Sequence, residues 1–516
     1  MLTIWQRIGL TAFLIGFALF IATLSLSRYT LTDKVLSETV SKEQLDAIRS
    51  ATASMHGKTY TSSFGFVADY RTAIARLNEA YKQRNETNLL IPDYAFLVTK
   101  SASTGFFPEN SQLFFWLSLL LSVGGGLLYI LPTQRELPGI KNNGIYHSPA
   151  TNRGWIGIVI GTFLIGFYIV LYFFPEYLTN WVLMFDPLSR LLNGGPASQW
   201  FVYGTLYTLV ILVMGVRMLI KYRHSRYQQL RTLSVMFFQT AFAFLIPELL
   251  ALFHQPAQDL KNMWPLDYSF YFDYRIDEKI KAGTLGMFML VWGTALWLLG
   301  VPILTYFFGK RWYCSWVCGC GGLAETLGDP YRQLSDKRLG AWKLERIVVH
   351  SVLVFAVVMT ALVMYTYLSG QTLLFGFLDS NGVRSVYGSA IGAVFAGVVG
   401  TGFYPILGSR VWCRFGCPLA AYLGLVQRFK SRFRITTNGG QCISCGNCST
   451  YCEMGIDVRW YAQRGQDIVR SSCVGCGICS AVCPRGVLNL ENDSITTRQT
   501  NPGPILLGNN SFRIQQ

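Results

Sequence analysis

Charge is scarce in this chain. Asp, Glu, Lys and Arg make up 14% of its 516 residues, where soluble globular proteins carry about 25%. With 51% hydrophobic residues, most of the chain does not face water, and disorder or a collagenous repeat is excluded. Histidine is scarcer still. Of the five, His56, His147, His224, His254 and His350, only His350 falls within an apolar run, so the facing pair that would hold a haem b between helices is lacking. No P-loop or dinucleotide fingerprint follows a strand, which leaves ATPase and nicotinamide-dependent roles without support. Cysteine is absent before Cys314 and after Cys483. Thirteen cysteines confined to that stretch do not make a secreted disulfide scaffold. Acidic residues are outnumbered, giving a net charge of +16. Such a surplus suits nucleic acid or an anionic membrane surface; the hydrophobicity selects the membrane, and no nucleic-acid partner is expected.

A helix crosses a bilayer with about 20 apolar residues. Eight stretches qualify, near 8–26, 113–131, 155–174, 201–220, 234–253, 285–308, 347–368 and 386–407. The first follows Arg7 but is long for a signal sequence and precedes no A-x-A site, which reads as an uncleaved anchor. Loops 133–154, 221–233 and 309–346 hold fourteen Lys and Arg, Arg135 and Lys141 among them, against six in 175–200, 254–284 and 369–385. The positive-inside rule then places both chain ends in the cytoplasm of a multi-pass inner (cytoplasmic) membrane protein, with 28–112 outside. That segment has helical stretches at Ser41–Ala53 and Ala68–Lys82, no cysteine and no recognisable site; a small packing or docking domain is expected. The fold class is therefore mainly α: a polytopic bundle of about eight membrane helices with a small extracytoplasmic domain and a C-terminal cysteine-rich domain. The division expected is an anchor over 1–27, the outer domain over 28–112, spans over 113–233, a repeated two-helix module over 234–435, the cysteine-rich domain over 436–493 and a polar tail over 494–516.

The strongest motif is Cys442-x2-Cys445-x2-Cys448-x3-Cys452, followed by Cys473-x2-Cys476-x2-Cys479-x3-Cys483-Pro484. Thiolates are soft ligands suited to iron–sulfur clusters. Three in seven residues wrap one corner of a cubane, and the fourth arrives from the other motif. Cys442, Cys445, Cys448 and Cys483 are thus expected to hold one [4Fe–4S] cluster, and Cys473, Cys476, Cys479 and Cys452 a second. Zinc sites instead separate their ligands into spaced pairs. Residues 438–492 resemble the bacterial two-cluster ferredoxin domain, which implies a ferredoxin-like α+β fold for the C-terminal domain over 436–493, with Glu453 where proline is usual, a change expected to affect a turn.

The other cysteines reveal a repeat. Gly309-Lys310-Arg311-Trp312-Tyr313-Cys314-x3-Cys318 aligns with Gly408-Ser409-Arg410-Val411-Trp412-Cys413-x3-Cys417 at a shift of 99 residues. If helical, each pair offers thiols at i and i+4 on one face, and two such faces would form a four-thiolate pocket. Three readings compete for it: a further redox or metal site, reactive thiols that hand on electrons or metal, and ordinary buried cysteines. Cys320 has no counterpart in the second copy. Arg311 and Arg410 read as lipid anchors, with compensation of anionic clusters as the alternative.

Helix pairs with Cys-x3-Cys-Pro exits before a two-cluster ferredoxin resemble the NosR/NapH group of membrane polyferredoxins, over about residues 234–492. Cys417-Pro418 matches that motif, whereas Cys318-Gly319 lacks the proline. The resemblance implies electron transfer between cytoplasmic clusters and a quinone or a membrane or periplasmic redox partner, as a subunit of an oxidoreductase system in which other subunits take part. The flavin-bearing Ser/Thr-Gly-Ala-Thr motif of NosR-type domains is not found; Ser103-Thr104-Gly105 is a poor match, and covalent FMN is not expected. CcoG/RdxA proteins, linked to copper reduction, share the cysteine motifs but continue into an immunoglobulin-like domain. A CcoG-like metal-reducing factor and a redox-sensing regulator are the alternative functions. Glu248, after Pro247 in the fifth span, is a quinone or proton candidate, or a polar group near the outer interface paired with a neighbouring helix. Every cysteine falls on one side of a hydrocarbon layer about 30 Å thick, so outward transfer is expected to need a quinone, another cofactor or a partner.

Overall fold

Among the residues that the computed structural model describes (3–134, 153–371, 373–374, 378–492, 506–508 and 511–513), eight helices are long and apolar enough to cross a membrane. They are Ile4–Ser25, Ser111–Ile130, Trp155–Phe173, Gln199–Lys221, Arg226–Leu252, Gly283–Phe308, Leu339–Ser369 and Ser380–Gly402, here spans 1 to 8. Each matches one of the apolar runs. The loop charges Arg135 and Lys141, and most of the tail 494–516, lie outside the described residues. Spans 5, 6 and 8 each contain a π-helical stretch, at Phe238–Leu245, Leu296–Gly300 and Gly388–Val399. Such widened turns concentrate at functional sites.

The chain divides into two compact units. One comprises 1–137, 162–221 and 244–257. In it, spans 1 and 2 approach closely through glycines; a Cβ on Gly125 would fall 2.4 Å from the Phe13 backbone nitrogen, the small-residue contact that draws membrane helices together. Between them, strand β1 (Arg28–Thr30) pairs antiparallel with β2 (Thr59–Tyr60) and β3 (Ser103–Thr104). Helices Leu45–Ala51 and Ser63–Gln83 realise the expected ones with shifted ends. Tyr29, Leu36, Ile48, Phe66 and Val98 bury the apolar face.

The second unit comprises 138–161, 222–243 and 258–516. It contains spans 6 to 8 and the ferredoxin-like segment, whose strands Arg434–Thr437 and Leu488–Glu491 pair antiparallel from Arg434↔Glu491 to Thr437↔Leu488. A single buried cluster joins Val301 of span 6, Cys314, Cys318, Cys413 and Cys417 to Ile435, Val474 and Val487. Membrane helices and cysteine loops thus share one core. Arg432 N donates to Tyr306 O at 2.7 Å, so the Phe308 end of span 6 is the end that meets the ferredoxin.

The repeated motif is not one helix with thiols at i and i+4. Gly309 and Gly408 stop the chain at φ +70° and +93°, a conformation that glycine enters without steric cost. A Cβ on Gly309 would lie 2.6 Å from Phe433 and one on Gly408 would lie 2.3 Å from Ser335 Oγ. The first cysteine of each pair then sits in a short helical turn and the second is extended, at φ −66°, ψ 128° for Cys318 and φ −85°, ψ 110° for Cys417. Each extended cysteine caps the next helix, Gly319–Thr326 or Pro418–Lys430. Proline at the first helical position, with no N–H to satisfy, explains the break in the second copy.

Candidate metal centres at the cysteine motifs

The eight ferredoxin cysteines gather around two cavities. Cys442, Cys445, Cys448 and Cys483 line one, and Cys452, Cys473, Cys476 and Cys479 line the other. Each cavity draws three thiols from one motif and the fourth from the other. The tight loops turn at Gly446, Gly475 and Gly477, with φ +84°, +60° and +73°. The two fourth cysteines are equivalent: Ile456 N donates to Cys452 Sγ and Val487 N to Cys483 Sγ, both at 3.4 Å and both four residues on. Hydrogen bonds to sulfur tune such clusters. Burial pushes the free thiols of Cys448 and Cys473 up, to about 12 and 11, so metal binding there displaces protons. Cys445 is exposed while Cys473 and Cys479 are buried, which makes the first cavity the one nearer solvent. Span 5 grips the loop of the second: Tyr227 Oη donates to Gly475 O and Gln228 Nε2 to Cys476 O, both at 2.8 Å.

The repeat brings its four cysteines together. Cys314, Cys318, Cys413 and Cys417 line a third, small cavity with Tyr313, Trp412, Leu419, Ala420 and Cys320. Cys320 joins its wall although the second copy has Leu419 at that position, which is why the repeat alignment left it unassigned. Ala420 N donates to Cys417 Sγ at 3.4 Å, and Arg410 Nη1 lies 3.6 Å from Cys413 Sγ and 3.2 Å from Cys314 O. Buried thiols with a guanidinium aimed at one sulfur fit an anionic thiolate-bound metal centre.

Arg410 is therefore not a lipid anchor. With Arg231 and Arg332 it is no more than 1% exposed, and Glu325, Asp329 and Glu453 are no more than 2% exposed. Arg410 pairs with Glu325 at 2.5 Å and Glu453 at 2.9 Å; Arg332 pairs with both at 2.5 Å and with Asp329 at 3.0 Å; Arg231 pairs with Glu325. Charges this deep persist only when fully paired. Burial alone pushes the Glu325 carboxyl up, but the guanidinia of Arg231, Arg332 and Arg410 outweigh it and hold it well below the usual carboxylate range. Glu453, expected to alter only a turn, is a central member. Oxygens of Glu325 and Glu453 and Cys476 Sγ lie within 4.8 Å of one another, so the network reaches from the thiol cavity to the second ferredoxin cavity. Its carboxylates are engaged by guanidinia, which marks it as an ionic bridge and not a metal site. Arg410, three residues before Cys413, and a carboxylate in the usual proline position were its traces in the sequence.

Arg311 lies over the Phe433 ring at 4.5 Å. Glu248 accepts from Asn193 Nδ2 at 2.5 Å, the paired arrangement offered as its alternative reading. His350 Nδ1 bonds Arg346 O at 2.6 Å.

Comparison with known proteins assigns iron–sulfur chemistry to both regions. Residues 413–494 match a 4Fe-4S dicluster domain, and residues 290–341 match a 4Fe-4S binding domain. Among individual proteins the chain is similar to YccM of Escherichia coli (strain K12), named as a candidate electron transport protein, with 27% identity over 182 residues. That alignment covers 34% of this chain and 50% of YccM, so the chain spans about half the length of that relative. No solved structure matches.

Proposed function

We propose that the chain is a membrane-bound iron–sulfur electron-transfer protein of the NosR/NapH type. The observation that carries this reading is the closure of eight cysteines into two cavities, each with three thiols from one motif and one from the other. Cys442, Cys445, Cys448 and Cys483 hold one [4Fe–4S] cluster; Cys473, Cys476, Cys479 and Cys452 hold the second. Cys314, Cys318, Cys413 and Cys417 hold a further metal or cluster. Clusters of this kind take up and give back single electrons. The chain's own residues fix the sulfurs, exclude water and, through Arg410, balance thiolate charge. The partner is a quinone or a redox protein, and the ferredoxin face lies in the cytoplasm with 28–112 outside, a reading supported by the excess of Lys and Arg in the loops on the ferredoxin side.

Anaerobic reconstitution tests this. Protein carrying two clusters contains about eight irons, and about twelve if the third cavity holds a cubane. Iron near zero after reconstitution rules the proposal out. The fifth thiol, Cys320, favours a second reading for the third cavity, a metal-handling site of the CcoG kind. Stoichiometric copper binding lost in Cys413→Ser, with iron unchanged, selects it.

A further inference from the structure

In the bridge between the thiol cavity and the second ferredoxin cavity, the guanidinia of Arg231, Arg332 and Arg410 meet the carboxylates of Glu325, Asp329 and Glu453. With all six ionised the bridge carries no net charge, and the charge that Arg410 directs at Cys413 is shared with two carboxylates. A second buried cation at the same junction has no such partner. Lys310 is 2% exposed and, among the described residues, forms no ion pair with a carboxylate. Its Nζ donates to Ser471 O at 3.3 Å. Glu345, a carboxylate on which its charge also acts, is bonded to Arg414 at 3.1 Å. A buried ammonium without a counter-ion is unfavourable, so a lysine held there calls for an anion nearby.

Two sets of cysteines flank it. Lys310 begins the turn that presents Cys314, whose backbone N–H donates to Lys310 O at 3.1 Å. The loop around Cys473 is fastened to that same turn. Gln427 Oε1 accepts from Lys310 N at 2.7 Å while its Nε2 donates to Cys473 O at 2.8 Å, and Ser315 Oγ donates to Val474 O at 2.8 Å. Lys310 thus lies between the first repeat pair and the loop of the second ferredoxin cavity. Burial raises the thiols of Cys314, Cys413 and Cys473, and the Lys310 charge opposes that rise at all three. Burial also raises Cys448 in the first ferredoxin cavity, but there the Ser449 N–H opposes it. The second repeat copy has Ser409 in the position of Lys310, so this cation is supplied once for both cavities.

We propose that Lys310 is a counter-charge shared by the thiol-cavity centre and the second ferredoxin centre, a ligand of neither, which raises the reduction potential of both and leaves the first ferredoxin centre unaffected. This rests on the metal occupancy proposed above for those cavities. Reduction adds negative charge to a thiolate-bound centre, so a fixed positive charge in a low-dielectric surrounding favours the reduced form. One ammonium acting on two centres moves their potentials together.

The test is an anaerobic redox titration of the reconstituted holoprotein, followed by the paramagnetic resonance of its reduced centres, in wild type, Lys310→Gln and Lys310→Arg. Signals are assigned by their loss in Cys413→Ser, Cys476→Ser and Cys445→Ser. In Lys310→Gln the thiol-cavity and second ferredoxin signals should both titrate lower by a factor of about ten in the one-electron equilibrium constant, about 59 mV, with the first ferredoxin signal unmoved. Lys310→Arg keeps the charge and should restore both. Unchanged potentials in Lys310→Gln overturn the proposal, as does a shift confined to one of the two centres or shared equally by all three. Should Lys310→Gln load no metal at the two cavities, full loading of Lys310→Arg supports the counter-charge, and failure of both variants overturns it in favour of a packing role. Wild-type protein with about eight irons and no thiol-cavity signal overturns the inference and leaves the two-cluster reading standing; iron near zero overturns both.

Discussion

Glu453 and Arg410 show how far a residue's role depends on what lies beside it. Each reads locally as something ordinary, a turn residue and a membrane-edge arginine, because a single sequence reports neighbours along the chain and not across it. Arg410 meets Glu325 from 85 positions away. Removing one partner of a buried pair leaves an uncompensated charge, which costs about 3–5 kcal/mol. Arg410→Ala and Glu453→Pro, the latter restoring the usual ferredoxin residue, should both lower thermal stability by that order, measured by calorimetry on the holoprotein. Arg410→Lys keeps the charge but not the forked geometry; it should retain more stability than alanine while shifting the potential of the thiol-cavity centre in a redox titration. Arg231 and Arg332, counted in the tally of loop charges, are likewise engaged with carboxylates. Orientation thus rests on fewer free charges than the tally implied.

At the scale of elements, the membrane helices were legible because a bilayer demands long apolar runs, and all eight runs are realised as spans. Helix ends and the cysteine turns were not, since spacing alone does not distinguish a continuous helix from two broken at a capping residue. The break depends on Gly309 and Gly408. Gly408→Ala forces a side chain into φ +93° and against Ser335, a backbone strain of about 1–3 kcal/mol; a fall in the denaturation midpoint and in iron bound at the thiol cavity should follow. Gly124 in span 2 is the control. A Cβ there meets nothing within 4 Å, and Gly124→Ala should be neutral or stabilising by up to about 1 kcal/mol.

For the whole molecule, the cysteine loops and the membrane helices share one buried core, so stripping metal should loosen more than the ferredoxin. Chelation of the holoprotein should raise hydrogen exchange both in 442–483 and in the start of span 5, where Tyr227 and Gln228 bond the loop of the second cavity. Protection unchanged in span 5 would show that the loop keeps its shape without metal. The sequence by itself determined the class of molecule: composition and apolar run length require a membrane, and the spacing of eight thiols requires clusters, because both are constraints on neighbouring residues. Only the tertiary structure decided how those parts communicate. The carboxylate–guanidinium bridge from Cys413 to Cys476 and the entry of Cys320 into a cavity shared with Cys413 and Cys417 both join positions distant along the chain. Their existence follows from how buried charge and polar groups find partners once helices pack, and spacing carries no record of that.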